Sequence, residues 1–526
     1  MNKTENHTQV PGATWWDIIT QHACHYPDRK VFAFKDHCIT YSQLIPLVEA
    51  CARSLSARGI GKGDCIAFLS PPRPEAMITL FAAARLGALW VGLNPKYQVP
   101  ELNYVISHAR PKLVISIHAF ENRDYVGDLR NALEDITIDA RPQTVFFDGT
   151  GPDTAAFFEA LDKGAVNGQA LEPAYNTDPT LPCMLVYTSG TTGKPKGVLL
   201  RQRELIYRST VQARVFKTVS HPVVINFAPI NHIGGMHFRG LSQVLAAGTI
   251  VYQDRFRPAE VGQLIEQYKV NMLMLGSTML QMLLREPSFD LEIMKKMEWF
   301  IFSGAAIPMQ ILNRVKQYCP AVGSTYGLTE SCGSVSYIVG GDAVEAAAYT
   351  IGRSVPEGQL RVADSQGSPL EAGQQGELQV QKEYCMQGYL RDGAATAEAF
   401  TADGWLKTGD MATQDPDGYF RLVGRIKEMY KSGGYNVYPR EIEVVLEQHP
   451  QVLMSAVVPV DDDLYQQVGH AYLVPKIDAS ISEEELNQWC RERLANYKVP
   501  KRIFIRTTLP MLSIGKVDKF ALRSLS

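Results

Sequence analysis

The stretch "PCMLVYTSGTTGKPKGVLL" (Pro182–Leu200) joins an apolar run to a loop of glycines, hydroxyls and lysines. The apolar run reads as a buried strand, which places the loop at a strand end. Its three glycines let the backbone approach an anion closely. Thr188, Ser189, Thr191 and Thr192 supply hydroxyl donors, and Lys194 and Lys196 supply charge. A Walker loop separates its glycines by four residues and follows its lysine with Ser or Thr to hold magnesium. Here only Thr191 and Thr192 lie between Gly190 and Gly193, and Lys194 is followed by Pro195. The stretch is thus a phosphate-type loop of another kind. Its bland alternative is a surface turn rich in small polar residues.

Outward from this loop, the N-terminal part alternates helix-like and strand-like segments. "SQLIPLVEACARSLSARG" places Leu44, Leu47, Val48, Cys51 and Leu55 on one helical face, with Gly59 as a stop. "DCIAFLS" reads as a buried strand, "PEAMITLFAAARLGA" as an apolar helix and "LWVGLNP" as the next strand. "PELNYVISHARP" and "KLVIS" repeat the scheme, as do "AEVGQLIEQYKV" with "NMLMLG" and "WFIFSG" with "PMQILNRVKQYCP". This alternation predicts an α/β fold with a largely parallel sheet. From about Gly352 short alternating strands broken by Gly and Pro predict a small β subdomain, about 350–424. Past Arg425, two helix-like and three strand-like segments predict a separate small α+β domain, with "GRIKEMYKSGG" as the junction. The predicted division is 1–426 and 427–526.

The bulk numbers agree with several domains, since 526 residues exceed the size at which one core stops growing, about 250–300. A net charge of −3 argues against a general electrostatic grip on nucleic acid. Nine cysteines are scattered without a CxxC pair, which suggests neither a zinc site nor a disulfide framework and fits a cytoplasmic protein. The polar start "MNKTENHTQVPGATWW" lacks the apolar core of a signal peptide, and no apolar run is long enough to span a bilayer.

Further motifs follow the loop in order: "APINHIGGM" (Ala228–Met236), "FSGAA" (Phe302–Ala306), "STYGLTE" (Ser324–Glu330), "GWLKTGD" (Gly404–Asp410), "DGYFRLVGRIKE" (Asp417–Glu428) and "LPMLSIGKVDK" (Leu509–Lys519). Together with "YTSGTTGKPKG" they resemble the signatures of the adenylate-forming enzymes: acyl-CoA synthetases, peptide-synthetase adenylation domains and firefly luciferase. The resemblance runs from about Trp15 to Arg523. It implies a large N-terminal domain of stacked α/β sheets with a β subdomain, then a small mobile C-terminal domain. It also implies ATP, Mg2+ and CoA as reactants and cofactors, and a small carboxylic acid as substrate.

Residue by residue, the resemblance implies that Thr188, Ser189, Gly190, Thr191, Thr192, Gly193 and Lys194 hold the leaving phosphates. Gly304, Ala305, Tyr326 and Gly327 meet the adenine, Thr329 the α-phosphate, and Asp410 and Arg425 the ribose. Glu330, with Thr188, holds magnesium, a hard cation that keeps several waters and takes few carboxylates. Lys516 bridges the acid and the α-phosphate, whereas Lys519 reads as a solvated surface charge. Lys427 is the hinge. Ser432, Gly433, Gly434 and Tyr435 then line the path of CoA, or form only a surface hairpin. His232 gates the channel between acid and thiol, or is a core histidine. His232, Ile233, Met236, Gly304, Gly327 and Cys332 line the acid pocket, although Met236 and Cys332 fit core packing equally well. No Asp stands where amino-acid-selecting relatives carry one, so the pocket favours an apolar fatty or aromatic acid. Two departures stand out: Arg201 and Gln202 replace a usual Thr-His pair, and His470 a usual Glu.

The leading reading is a carboxylic acid–CoA ligase acting through an acyl-adenylate. A free-standing adenylation enzyme that loads the phosphopantetheine of an acyl or peptidyl carrier protein is the alternative. An ATPase or a nucleotide-regulated binding protein is the reading from another class.

Overall fold

A computed structural model describes residues 12–147, 157–159, 175–188, 194–216, 221–303, 307, 309–339, 341–476, 479–511 and 517–525. The helix Pro74–Leu86 organises the larger part of the chain. Twelve of its thirteen residues, all but Arg85, are buried. A helix that is apolar around its whole circumference belongs inside a protein. Its side chains share one core with Ile66 and Val91 from one large sheet and Phe32, Ile250 and Met272 from another. The first of these sheets has seven strands, from Gly388–Tyr389 at one edge to Gln143–Phe147 at the other. The second has nine, from Arg353–Ser354 to His37–Thr40.

Both sheets are parallel through the middle; the nine-stranded sheet turns antiparallel at both edges, the seven-stranded one only at its Gly388–Tyr389 edge. The parallel strands are buried on both faces, as Cys65–Leu69 and Leu113–Ile117 show, and accordingly read as unbroken apolar runs. Helices Tyr41–Ala57, Val99–Ala109, Pro258–Tyr268 and Met309–Lys316 lie where the sequence predicts them. Gly234–Leu241, which begins two residues past His232, winds as a π-helix.

Strands Leu360–Ala363, Gln375–Gln381, Trp405–Gln414 and Phe420–Arg425 form a four-stranded antiparallel sheet. The chain then makes a single 3-10 turn, Ile426–Glu428. Beyond it, a small domain packs the helices Pro439–Glu447 and Glu483–Arg491 on a five-stranded sheet. That domain has its own core, which includes Ile442, Leu446, Val457, Leu473, Leu486 and Ile503. The architecture is therefore α/β, with a large N-terminal and a small C-terminal domain. No described helix is long and apolar enough to cross a membrane.

Candidate active site

The glycine loop joins two strands of the seven-stranded sheet. Pro182–Thr188 and Lys196–Arg201 pair antiparallel, with Thr188 opposite Lys196. Ser189 to Gly193 lie outside the described residues, so the structure describes only the foot of this hairpin. Two aromatic contacts brace that foot. The Tyr104 hydroxyl donates to the Pro195 carbonyl at 2.8 Å, and the Tyr187 hydroxyl lies 2.7 Å from His108 Nδ1. Burial, reinforced by Arg391 and Arg110, lowers the His108 pKa, while burial raises that of the Tyr187 phenol. Both effects favour the neutral pair. Lys194 is exposed, 5.9 Å from the Tyr104 ring centroid.

The second loop strand also pairs with Gly388–Tyr389, with Val198 opposite Tyr389. This link carries the site from the glycine loop to Glu330. Lys196 Nζ lies 5.0 Å from the Tyr389 ring centroid, and the Tyr389 hydroxyl donates to Glu330 Oε1 at 3.0 Å. Burial, and then the charge of Glu330, raises the phenol pKa, so Tyr389 remains a neutral donor. The Glu330 turn is pinned twice more. Its carbonyl accepts from the Met386 N–H at 2.8 Å, and the Ser331 carbonyl accepts from buried Arg208 Nε at 3.1 Å. The other Glu330 carboxylate oxygen makes no bond among the described residues. Thr329, just before it, is buried.

Glu330 follows the strand Val322–Leu328, whose register slips between Tyr326 and Gly327 as it pairs with Gly333–Ile338. A Cβ on Gly327 would lie 2.1 Å from the Gly333 carbonyl oxygen, so only glycine lets the two strands meet here. Tyr326 turns its hydroxyl to Asp410 Oδ2, 2.5 Å away. Asp410 is opposite Arg425 on the adjacent strand, and Arg425 Nε contacts Oδ1 at 2.7 Å. Asp410 is buried whereas the Arg425 side chain is 44% exposed. Burial, and then the Asp410 charge, pushes the Tyr326 phenol well above its usual range. Each engaged carboxylate oxygen retains capacity for a second donor.

The remaining predicted residues divide. His232 is exposed and accepts the Gly234 N–H at 3.0 Å, so the core-histidine alternative is corrected. The core histidine is instead His237, whose Nε2 lies 3.0 Å from both Ser209 Oγ and the Leu205 carbonyl. Burial lowers its pKa to about 4. Ile233 and Met236 are buried beside His232. Cys332 is wholly enclosed in the core at a φ of +59°, so it packs there rather than facing an open pocket. Of the pair that stands in place of Thr-His, Gln202 accepts the Trp15 N–H through Oε1 at 3.0 Å, and Arg201 pairs with buried Glu204 at 2.8 Å. Gly304 and Ala305 lie outside the described residues.

In the small domain, Lys427 is exposed on the 3-10 turn. Ser432 and Tyr435 close a two-residue hairpin through Gly433 and Gly434, at φ of +57° and +84°, which is the turn that a right-twisted hairpin favours. Tyr435 is exposed yet stacks on Tyr497, with centroids 4.4 Å apart. Lys516 lies outside the described residues. Lys519 is not the free surface charge predicted: Glu428 and Glu443 each hold its ammonium at 2.8 Å.

The family described as "AMP-binding enzyme" matches residues 19–390, and "AMP-binding enzyme C-terminal domain" matches 441–516. The chain belongs to the AMP-binding enzyme family. This AMP-binding enzyme is 31% identical over 507 residues to the indoleacetate–CoA ligase of Aromatoleum aromaticum, covering 96% of this chain and 97% of that protein. Its fold matches ATP-bound MatB from Rhodopseudomonas palustris with a TM-score of 0.84 at 26% identity, over 97% and 98% of the two chains. It also matches MenE from Bacillus subtilis, solved with ATP and a magnesium ion, with a TM-score of 0.80 at 26% identity, over 96% and 98%.

Two residues of this AMP-binding enzyme's candidate site, Tyr389 and Arg208, escaped the sequence reading. Tyr389 lies far along the chain from both Lys196 and Glu330, and only strand pairing brings the three together. Arg208 sits in a polar-looking helix, Gln202–Val215, that is buried despite its composition. Unusual polarity in a helix between two apolar strands was the available signal.

Proposed function

We infer that the chain is an AMP-forming acid–thiol ligase: with ATP, Mg2+ and CoA it converts a carboxylic acid to its acyl-adenylate and then to the acyl-CoA thioester. The observation that carries this reading is the run Lys196–Tyr389–Glu330, which ties a phosphate-type loop to an isolated carboxylate. Beside it, on the strand that leads to Glu330, Tyr326 meets the Asp410–Arg425 pair.

Chemically, the acid's carboxylate oxygen attacks the α-phosphorus and pyrophosphate leaves. The thiol sulfur of CoA then attacks the acyl carbonyl, and AMP leaves with the electron pair of the broken C–O bond. The residues of the glycine loop from Thr188 to Lys194 hold the leaving phosphates, and Thr329 the α-phosphate. Asp410 accepts from the ribose hydroxyls, Arg425 is a second ribose contact that donates to them, and Tyr326 packs on the adenine beside Gly304, Ala305 and Gly327. Glu330 suits Mg2+ because it offers a hard oxygen and a carboxylate already oriented by a neutral donor. Thr188, opposite Lys196 at the foot of the loop hairpin, would be the second residue to hold the ion, which would supply charge neutralisation to the phosphates. Lys516 spans the two anions in the first step. The domain boundary lies at Lys427, about which the small domain turns to bring Ser432, Gly433, Gly434 and Tyr435 to the site for the second step. His232, exposed at the π-helix start, suits a gate.

An apolar aromatic or fatty acid is the substrate class favoured by buried Ile233 and Met236 and by the relative that acts on indoleacetate. A carrier-protein thiol in place of CoA is the second acceptor considered. Nine free cysteines without a paired framework favour the cytoplasm. Pyrophosphate release across a panel of acids, with CoA present, tests the reading. AMP, pyrophosphate and acyl-CoA are the products expected with at least one apolar acid, whereas ADP and phosphate would refute it.

Tyr389→Phe tests the magnesium assignment. Removing an oriented donor behind a metal ligand typically costs about 10- to 100-fold in metal affinity. Mn2+ binding to the enzyme–ATP complex, followed by electron paramagnetic resonance, is expected to weaken by about tenfold or more. Unchanged Mn2+ binding would remove Glu330 from the metal site.

A further inference from the structure

Arg239 is a buried cation that its described neighbours leave uncompensated. It is 6% exposed and lies on the π-helix Gly234–Leu241. Its guanidinium is flanked by Phe227 and Phe238, whose ring centroids lie 5.3 and 5.9 Å away. Nε and Nη2 donate to the Met274 carbonyl at 3.2 and 3.0 Å, and Nη1 reaches the Gly234 carbonyl at 3.4 Å. A guanidinium carries five N–H donors, so two have no acceptor among the described residues. No described carboxylate pairs with it either. Burial alone lowers its pKa, to about 10, which leaves it charged at neutral pH.

Other shielded cations of the chain are matched, as buried charge requires. Arg73, equally enclosed, has Glu75 at 2.8 Å. Even the less buried Arg440 and Lys519 have glutamates at 3.0 and 2.8 Å. Arg208, which also touches no carboxylate, donates to the amide oxygen of Gln359 at 2.7 Å and supports the Glu330 turn.

The place of Arg239 in the fold is that of a ligand contact. Met272–Leu275 runs parallel to Val223–Asn226 and to Trp299–Ser303, which in turn runs parallel to Val322–Leu328. Met274 is next to last in its strand, so Arg239 stands at the same end of the sheet as Tyr326. Open α/β sheets bind ligands outside the carboxyl ends of their strands. Exposure falls along the segment, from exposed His232 through half-buried Gly234 to enclosed Arg239. A Cβ on Gly234 would lie 3.0 Å from His232 Nδ1 and 3.7 Å from Arg239 Nη1. Glycine thus leaves bare the strip between imidazole and guanidinium, on the segment that carries Ile233 and Met236.

We propose that Arg239 determines which acid is taken: it receives a second carboxylate at the far end of an otherwise apolar dicarboxylic acid, while the first carboxylate is activated. The proposal rests on the ligase reading above and narrows its substrate class. A guanidinium suits this task because it is weakly hydrated and offers donors in a planar fork that matches carboxylate geometry. A monoacid leaves those donors unmet. A site built around buried donors rejects such an analogue far more strongly than an apolar pocket rejects a missing methylene.

The test compares hexanoate with hexanedioate, phenylacetate with para-carboxyphenylacetate, and phenylpropanoate with para-carboxyphenylpropanoate. Each is given to the full-length enzyme with ATP, Mg2+ and CoA, and pyrophosphate release yields kcat/KM. Calorimetry reads binding of the same acids in the presence of α,β-methylene ATP. At least one diacid is expected to exceed its partner about 100-fold in kcat/KM, and to bind more tightly. Arg239→Gln, which keeps a donor for the Met274 carbonyl, and Arg239→Met should each bring that ratio to within about threefold, mainly through KM. Thermal midpoints and calorimetric ATP binding show which variants are folded, and the wild-type ratio decides even where neither is. Monoacids bound and used as well as diacids in every wild-type pair, or a ratio that survives in a folded variant, would overturn the proposal. Diacid binding that depends on Arg239, without pyrophosphate release from any acid, would instead overturn the functional reading.

Discussion

Lys516→Ala is expected to lower acyl-adenylate formation by about 100- to 1,000-fold while leaving turnover of pre-formed acyl-adenylate with CoA nearly intact. The argument is electrostatic. Joining a carboxylate to the α-phosphate of ATP brings two anions together, and the barrier reflects charge that builds between them. A fixed ammonium that touches both groups is worth far more in the transition state than in the separated reactants, so its loss appears in kcat. In the second half-reaction the new bond forms at carbon and the pyrophosphate has left; on the proposed reading the small domain then presents the Ser432–Tyr435 hairpin in place of Lys516, which takes no part in that step. Rapid-quench measurement of each half-reaction separates the two outcomes. An equal loss in both would assign Lys516 a structural role.

Glu330→Gln is expected to reduce the first half-reaction by about 100-fold and to shift its magnesium dependence to higher concentration, with the thermal midpoint unchanged. The substitution is close to isosteric. The glutamine carbonyl still accepts the Tyr389 hydroxyl, and the backbone bonds from Met386 to Glu330 and from Arg208 to Ser331 do not involve the side chain. The change therefore removes one charge and little else. Magnesium titrations at saturating ATP, alongside differential scanning calorimetry, read both effects. An enzyme that keeps its rate and its magnesium curve would show that this carboxylate does not hold the ion.

Much of the candidate site is legible because the residues proposed for it fall in contiguous motifs. "YTSGTTGKPKG", "STYGLTE" and "GWLKTGD" each carry their chemistry within a few residues, and helix–strand alternation around them declares an α/β fold. What was hidden depends on long-range pairing. The strand Lys30–Phe34, with its hairpin partner His37–Thr40, joins the sheet built mainly by residues 223–354, pairing with Thr249–Tyr252, although the strands that follow, from Cys65–Leu69 to Lys196–Arg201, build the other sheet. Local periodicity carries no information about such partners. Tyr389 is hidden in the same way, as its role follows from a short edge strand docked on the loop hairpin.

Two single-residue readings turned on burial. His232 and His237 are five positions apart, and periodicity does not say which one faces outward. The π-helical winding of Gly234–Leu241 leaves His232 exposed while His237 is held neutral between Ser209 and Leu205. Lys519 read as solvated because lysines near a terminus usually are, yet its partners Glu428 and Glu443 come from a turn 91 residues earlier and a helix 76 residues earlier. A buried carboxylate on the inner face of the helix Pro439–Glu447 was the clue, since such a group calls for a cation.

The central claim is that the acid is activated by forming a bond from its own oxygen to the α-phosphorus. The direct measurement is oxygen transfer from an acid labelled with heavy oxygen in its carboxylate, using one that the pyrophosphate screen identifies. Mass spectrometry of the AMP released in the presence of CoA is predicted to find one labelled oxygen per phosphate. AMP without label, or ADP as the nucleotide product, would contradict the acyl-adenylate account.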